Sequence, residues 1–266
     1  MIKLVASDMD GTLLDSKKRL PEDIVPVIRA MKEKGAIFAV ASGRQYDALR
    51  RDLSQIAEDI VFIAENGALV VERGEVLFID ALAPQEIGGI LEAAKDLQGV
   101  YACVCCADCA ICEDTASAEF IGMMQMYYPS TRVVPDLAAH CAAMTNVCKV
   151  AFFDEGDAAT HELPALRERL GERLSVILSG EQWVDVMKPG VHKGSAMKML
   201  MQIKGFKPEE CMAFGDYLND LEMLESVGES YAMANALEAV KAAARHIAPG
   251  NDENGVVRVI RERFSL

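Results

Sequence analysis

The stretch Leu4–Leu13, LVASDMDGTL, decides the fold: an apolar strand runs directly into two aspartates flanking one residue, followed by Gly-Thr. Because side chains alternate along a strand, Asp8 and Asp10 are expected on the same side of the chain where the strand leaves the sheet. Gly11 allows the backbone to turn tightly there. Two carboxylates that converge at the end of a strand favour Mg²⁺, which prefers hard oxygen ligands. The stretch therefore predicts a metal-dependent site at the end of the first strand.

Composition is typical of a globular protein with a well-buried core. The chain has 266 residues, 51% of them hydrophobic, and a net charge of −14. This charge argues against nucleic-acid binding, since phosphate backbones reward clustered positive charge. No run approaches the roughly 18 consecutive apolar residues that span a bilayer, and the N-terminus has no signal-peptide pattern. We therefore expect a cytoplasmic enzyme with neither a membrane nor a nucleic-acid partner, of unknown oligomeric state.

The order of apolar and amphipathic stretches indicates two domains. A βαβα order, which favours a parallel sheet covered by helices, runs to about residue 80 and resumes after residue 189. Residues 81–189 mix helical and strand patterns in the manner of a separate α+β module. The sequence therefore predicts an α/β fold: a Rossmann-like parallel-sheet core of residues 1–80 and 190–266, split by an inserted α+β domain at residues 81–189.

Two further motifs supply hydrogen-bond donors and a positive charge. AVASGRQ places Ser42 and Gly43 at the tip of the second strand, where a hydroxyl and an amide can donate to a phosphoryl group. Lys193, in GVHKGSAM, begins a helix directly after the insertion. One cation near Asp8 would offset the repulsion between a carboxylate and an approaching anion. The two motifs therefore add candidate anion-binding groups to the first motif.

The last motif, AFGDYLNDLEML, adds a second group of acidic residues. A buried strand ends in Gly215-Asp216, and Asn219 and Asp220 then open a helix. Acidic groups suit a helix N-terminus in any protein, so capping accounts for one of them. Capping does not account for the whole GDxxND pattern, which therefore joins the first motif as a candidate metal site.

Taken together, the four motifs resemble those of the haloacid dehalogenase superfamily, in its type IIB, or Cof-like, subgroup of sugar-phosphate phosphatases. The matches extend to ENGA at Glu65–Ala68, SYAMANA at Ser230–Ala236 and NDENGV at Asn251–Val256. Asn66 and Asn235 are thus candidates for the pocket wall, although Asn in turns is usually turn chemistry. The long gap between Ser42 and Lys193 matches an inserted C2B-type cap that would select the substrate. The resemblance is strong across the core and weak across the cap.

The resemblance implies a role for each motif residue. Asp8 would be the nucleophile that forms an aspartyl-phosphate, and Asp10 the general acid and base. Asp8, Asp216 and the backbone carbonyl of Asp10 would hold Mg²⁺. Asp220 would stand behind them, holding Lys193 or a metal-bound water. The residues expected to bind the phosphoryl group are Met9 through its amide, Ser42, Gly43, Arg44, Lys193 and Asn219.

We therefore expect a Mg²⁺-dependent phosphomonoester hydrolase that acts on small phosphorylated metabolites such as sugar phosphates. One alternative is a phosphosugar mutase, because phosphomannomutases share this cap type. Another is a catalytically silent sugar-phosphate-binding protein, although a pure binder has no need for an acid/base at Asp10. A dinucleotide-binding oxidoreductase is excluded because no GxGxxG follows the first strand. The identity of the substrate does not follow from the sequence.

The eight cysteines indicate reduced thiols and not a disulfide framework. Thiolates two or three residues apart can share a zinc ion, so the run CVCCADCAIC leaves a zinc site open as an alternative. Neighbouring positions on a strand face opposite sides, however, and small buried side chains are a common use of free Cys. Packing is therefore the favoured interpretation of Cys103, Cys105, Cys106, Cys109 and Cys112.

Overall fold

The chain divides into two compact units. The computed structural model describes residues 1–266, except that the side chains of Met126 and Tyr127 lie outside the description. The first unit comprises residues 1–44, 49–78 and 192–266, and the second comprises residues 45–48 and 79–191. The boundaries drawn from the sequence after residues 80 and 189 stay a prediction. Among the described residues, no helix has the length and apolar character needed to cross a membrane.

Fourteen strands and ten α-helices make up the two units. The strands are β1 (Leu4–Asp8), β2 (Ile37–Ala41), β3 (Ile60–Ala64), β4 (Leu69–Glu72), β5 (Glu75–Ile79), β6 (Val100–Cys106), β7 (Ala110–Glu113), β8 (Thr131–Val134), β9 (Val147–Asp154), β10 (Ser175–Gly180), β11 (Trp183–Met187), β12 (Cys211–Gly215), β13 (Glu229–Met233) and β14 (His246–Ala248). The helices are α1 (Ile24–Glu33), α2 (Tyr46–Asp52), α3 (Pro84–Ala94), α4 (Ala118–Tyr127), α5 (Leu137–Cys141), α6 (Glu162–Leu170), α7 (Lys193–Lys204), α8 (Leu221–Glu225), α9 (Glu238–Ala243) and α10 (Gly255–Phe264).

The first unit is built on an eight-stranded sheet in the order β14-β13-β12-β1-β2-β3-β4-β5. The strands from β14 to β3 are parallel, and β4 runs antiparallel to β3. Strand β1 lies at the centre, where Ala6 pairs with Ala39 of β2 on one side and with Ala213 of β12 on the other. The order of the strands reverses at β1, and ligands of open α/β sheets bind at such a point. The predicted Rossmann-like parallel sheet is confirmed.

The sequence of β1 suits this central position. All five residues of the strand are buried, as expected for a parallel strand covered on both faces. Helix α1 buries Ile24, Val27, Ile28 and Met31, which recur at the spacing of one helix face. The amphipathic pattern that follows the first motif therefore forms a helix. This helix connects β1 to β2 in the chain.

The second unit contains a six-stranded sheet in the order β10-β11-β9-β6-β7-β8. One face of this sheet carries apolar residues of α3, α5 and α6, including Ile90, Leu137 and Leu166. The other face packs against α4, where the ring of Phe120 lies 5.4 Å from Tyr101 and 5.8 Å from Phe153, between centroids. The mixture of helices and strands is that of the predicted α+β module.

The cysteine run is divided between the two faces of this second sheet. Cys106 and Cys109 pack with the residues of α3, α5 and α6, whereas Cys103, Cys105 and Cys112 pack with those of α4. All five side chains are buried, and none of the five forms a disulfide. Burial raises the pKa of Cys106, Cys109 and Cys112, which favours neutral thiols over metal-binding thiolates. This arrangement supports the packing interpretation and not the zinc site.

Candidate active site

The candidate site lies in the first unit, at the carboxyl ends of three neighbouring strands. Asp8 is the last residue of β1, Ser42 directly follows β2, and Asp216 directly follows β12. Because these strands are parallel and adjacent, their carboxyl ends meet at one edge of the sheet. The motifs predicted from distant parts of the sequence therefore converge in space.

Lys193 is the centre of a buried ionic cluster. Its side chain is 1% exposed, and its Nζ donates to Oδ1 of Asp8 at 2.5 Å and to Oδ1 of Asp220 at 2.7 Å. The residue begins α7, and the preceding His192 caps this helix by accepting the N–H of Ser195 at Nδ1, 3.2 Å away. A buried ammonium is tolerated only when carboxylates satisfy it, so Lys193 and its two partners form one unit.

The proton affinities of this cluster are strongly displaced. Burial raises the pKa of Asp8 to about 7, against the attraction of the Lys193 ammonium, and the nearby Asp220 raises it further. Burial alone would lower the pKa of Lys193, but Asp8 and Asp220 outweigh it and raise that pKa. The lysine therefore keeps its charge, and the carboxylate beside it is less acidic than an exposed aspartate.

Three carboxylates of the site fit a divalent cation. Oxygens of Asp8, Asp216 and Asp220 all lie within 4.8 Å of one another, and burial raises the pKa of Asp216. Both oxygens of Asp220 are engaged, one by Lys193 and the other by the backbone N–H groups of Asp216 and Tyr217 at 3.0 and 3.1 Å. The single ammonium of Lys193 does not neutralise all three carboxylates. The remaining negative charge is of the kind that hard cations balance.

Asp8 and Asp216 each have one carboxylate oxygen that the bonds from Lys193 and Thr12 do not use. Oδ1 of Asp8 accepts from Lys193, and Oδ1 of Asp216 accepts from the hydroxyl of Thr12 at 2.6 Å. The second oxygen of each lies outside these bonds. Gly11, at φ +83°, permits the close packing, since a Cβ there would lie 2.4 Å from Oδ2 of Asp216. The donor set thus fits Asp8 and Asp216 as ligands, with Asp220 holding them in place.

Asp10 stands apart from this group of carboxylates. Its side chain accepts from Nε and Nη2 of Arg44 at 2.9 and 2.7 Å, and from Nζ of Lys18 at 2.6 Å. Burial would raise the pKa of Asp10, but the bonds from Lys18 and Arg44 outweigh it and lower the pKa. The metal contact expected of Asp10 is made by its backbone carbonyl and not by its side chain. That contact stays a prediction.

The remaining predicted residues occupy the same loops. Oγ of Ser42 accepts the N–H of Arg44 at 3.2 Å, and the carbonyl of Met9 accepts the N–H of Leu14 at 2.8 Å. Nδ2 of Asn219 donates to Oδ1 of Asn66 at 3.3 Å. Each of these residues follows the end of a strand, so their backbone and side-chain donors share the edge at which Asp8 lies.

Four residues make contacts in the site that the sequence did not predict, although Asn66 and Asn235 were candidates for the pocket wall. Thr12 holds Asp216, and Lys18 pairs with Asp10. Asn66 meets Asn219, and Asn235 donates from Nδ2 to the carbonyl of Gly11 at 2.8 Å. Thr12 belongs to the DxDGT motif, which was a usable signal. Lys18 lies in a Lys-Lys-Arg run that looks like an ordinary solvated surface.

Comparison with known proteins adds an independent observation. A family model described as haloacid dehalogenase-like hydrolase matches residues 5–260. The chain is 34% identical to 5-amino-6-(5-phospho-D-ribitylamino)uracil phosphatase YbjI of Escherichia coli (strain K12), over 97% of this chain and 95% of that protein. It is 31% identical to HMP-PP phosphatase of Klebsiella pneumoniae (strain 342), over 93% and 89%. The solved structure of TM0651 from Thermotoga maritima matches with a TM-score of 0.86 and 26% identity, over 98% of this chain and 97% of that chain.

Proposed function

We propose, because this chain belongs to the haloacid dehalogenase-like hydrolase family, that it is a Mg²⁺-dependent phosphomonoesterase working through an aspartyl-phosphate on Asp8. The observation that carries the proposal is the position of Lys193 between Asp8 and Asp220, with Asp216 beside them. This arrangement leaves one oxygen of Asp8 outside the ion pair. A carboxylate held in this way suits attack on phosphorus.

The first step transfers the phosphoryl group to the protein. An oxygen of Asp8 forms a bond to phosphorus while the bond from phosphorus to the leaving oxygen breaks, and Asp10 gives that oxygen a proton. In the second step water attacks the phosphorus, Asp10 takes the water proton, and inorganic phosphate leaves as the Asp8 carboxylate is restored. Lys193 holds Asp8 in place and offsets the charge of the incoming phosphate.

The surroundings of Asp10 favour one half of this role over the other. Its ion pairs with Lys18 and Arg44 stabilise the carboxylate, which is the form needed to activate water. The acid half needs a protonated Asp10. A phosphate ester at the site would compete for the same two cations, and the loss of their hydrogen bonds would raise the pKa of Asp10 towards the range of a useful acid.

Mg²⁺ would be held by Asp8, Asp216 and the backbone carbonyl of Asp10. When bound, the ion neutralises charge on the phosphoryl oxygens. Ser42, Gly43, Arg44 and Asn219 would donate to those oxygens, as would the amide of Met9. Donors fixed in advance by the fold need no reorganisation at the moment of reaction, which is where such sites gain most of their effect.

Small phosphorylated metabolites are the proposed substrates, with sugar phosphates as one class. Relatives bear the names of a ribitylaminouracil phosphatase and an HMP-PP phosphatase, which act on different leaving groups. We assign selection of the leaving group to the inserted residues 81–189, in the manner of a cap. No nucleic-acid partner is proposed, because the chain carries 41 acidic against 27 basic residues.

The test is release of phosphate from a panel of sugar phosphates, nucleotides and cofactor phosphates, with Mg²⁺ and with EDTA. We expect metal-dependent release from a few members, with one phosphate formed for each substrate consumed. Consumption without release would indicate a phosphosugar mutase. Binding without consumption of any member would indicate a silent sugar-phosphate-binding protein, and either result would overturn the proposal.

A further inference from the structure

The turn Glu65–Gly67, which follows β3, has a strained backbone conformation. Glu65, Asn66 and Gly67 take φ values of +50°, +54° and +105° in succession. Left-handed φ is uncommon for residues other than glycine, and two such residues in a row are costly. A conformation of this kind persists only where the surrounding contacts determine it.

The backbone of the turn is fixed to the Ser42–Arg44 loop. The N–H of Glu65 donates to the carbonyl of Arg44 at 3.1 Å, and the N–H of Asn66 donates to the carbonyl of Ser42 at 3.0 Å. On another side, a Cβ at Gly67 would lie 2.4 Å from the carbonyl oxygen of His192. The turn therefore touches both the predicted phosphate-binding loop and the residue that precedes Lys193.

The side chain of Asn66 reaches the last motif. Its Oδ1 accepts from Nδ2 of Asn219 at 3.3 Å, and a Cβ at Gly43 would lie only 2.9 Å from the same oxygen. An oxygen acceptor selects the NH₂ end of the Asn219 amide, which carries two donors. One donor is directed to Asn66, and the second is left for an anion.

We propose that Asn66 is a positioning residue that fixes the amide of Asn219 for the phosphoryl group. The inference rests on the proposed function, in which Asn219 contacts phosphate, and adds to it the residue through which that contact is oriented. Without the Asn66 oxygen, the Asn219 amide is free to rotate and present its own oxygen to the anion. Repulsion between that oxygen and a phosphate would then weaken binding.

The experiment is a double-mutant cycle on binding of inorganic phosphate in the presence of Mg²⁺, measured by calorimetry. Asn66→Gly keeps the left-handed backbone, which glycine adopts freely, and deletes only the amide. We expect about a tenfold rise in Kd for this variant, the scale of one hydrogen bond. In protein that already carries Asn219→Ala, adding Asn66→Gly should change Kd by less than about twofold, because residues that act through one another are not additive.

The matched control is Asn254→Gly, which makes the same substitution at another left-handed Asn, φ +54°, at the start of α10. It should leave Kd and turnover unchanged. The inference would be overturned by an unchanged Kd in Asn66→Gly. It would also be overturned if the effects of the two substitutions on Kd multiplied in the double variant, or if wild-type protein bound no phosphate. Wild-type protein that binds phosphate without hydrolysing any ester would instead overturn the proposed function and leave the cycle informative.

Discussion

Nζ of Lys193 lies 2.7 Å from Oδ1 of Asp220, and both side chains are almost completely buried. The same nitrogen donates to Asp8, whereas the second oxygen of Asp220 accepts two backbone N–H groups of its own loop. Asp220 thus links the start of α7 to the loop after β12. Asp8, the proposed nucleophile, is therefore held by a lysine whose own position is fixed by Asp220.

Loss of this lysine should affect both stability and turnover. Lys193→Met leaves two buried carboxylates without a cation, and breaking a buried pair in this way costs about 3–5 kcal/mol. We expect a corresponding fall in the free energy of unfolding, measured by urea denaturation, together with loss of phosphate release. Lys198→Met, on the exposed face of the same helix, is the control and should change neither. An unchanged urea midpoint in Lys193→Met would show that the cluster does not hold the fold.

Asp10→Asn should slow the chemistry without harming the fold. The amide can neither give nor take the proton, so kcat should fall by about 10² to 10⁴. Asp15→Asn serves as the control, because Asp15 lies in the same loop but pairs with Arg19. Turnover by Asp10→Asn at the rate of the control would remove Asp10 from the acid/base role.

Thr12 should tune the affinity of the metal through Asp216. Thr12→Val keeps the shape of this buried side chain and removes the hydroxyl that donates to Oδ1 of Asp216. Loss of a partner that orients a ligand typically costs 10- to 100-fold in metal affinity, so the Mg²⁺ concentration for half-maximal activity should rise by about that factor. The measurement is phosphate release against Mg²⁺ concentration. An unchanged curve would argue that Asp216 is not a ligand.

The burial of Glu162 predicts how the free energy of unfolding depends on pH. It is the first residue of α6, and both its carboxylate oxygens are buried without a hydrogen-bond partner. Burial, with the nearby Asp154 and Asp185, raises its pKa to about 8. The folded protein therefore keeps a proton that the unfolded chain releases. The stability that this proton contributes is fully present below the ordinary glutamate pKa of 4.5 and is lost progressively as pH rises from there to about 8.

The variant that checks this dependence is Glu162→Gln, which is neutral at every pH. Relative to wild type, it should gain about 1–3 kcal/mol in the free energy of unfolding at alkaline pH and little at acidic pH. Glu168→Gln, exposed on the same helix, should show no such difference. Parallel curves of Tm against pH for Glu162→Gln and wild type would contradict the assignment.

Much of the fold was predictable because the central strands are buried on both faces. The apolar runs IVFIA and CMAFG predict strands with the bounds that β3 and β12 have, since each run is short and closed by a turn. Strand β14 and helix α5 were missed, because three or five residues are too few to show a period. The pattern QYDALRRDLSQIA predicts a helix over residues 45–57, but α2 ends at Asp52 and the chain then continues in turns.

The site was predictable to the extent that its chemistry lies in contiguous motifs. The predicted family is confirmed by the match over residues 5–260, and the predicted phosphoric monoester hydrolase by the relatives that bear phosphatase names. The contact between Lys193 and Asp220 was among the roles that the resemblance implied, but other pairings between distant residues were not predictable. Nothing in the sequence connects Lys18 with Asp10, or Asn66 with Asn219, because such contacts depend on where loops from separate strands meet.

Covalent catalysis by Asp8 is tested most directly by the turnover of Asp8→Asn. The measurement is phosphate release from the best substrate of the panel with Mg²⁺ present. Lys193 keeps its bond to Asp220 in this variant, so the protein should fold with a Tm near that of wild type. We predict no detectable release, because an amide cannot form the acyl phosphate. Release within about tenfold of the wild-type rate would contradict covalent catalysis by Asp8, because a tenfold change is about 1.4 kcal/mol of the barrier, the scale of one hydrogen bond.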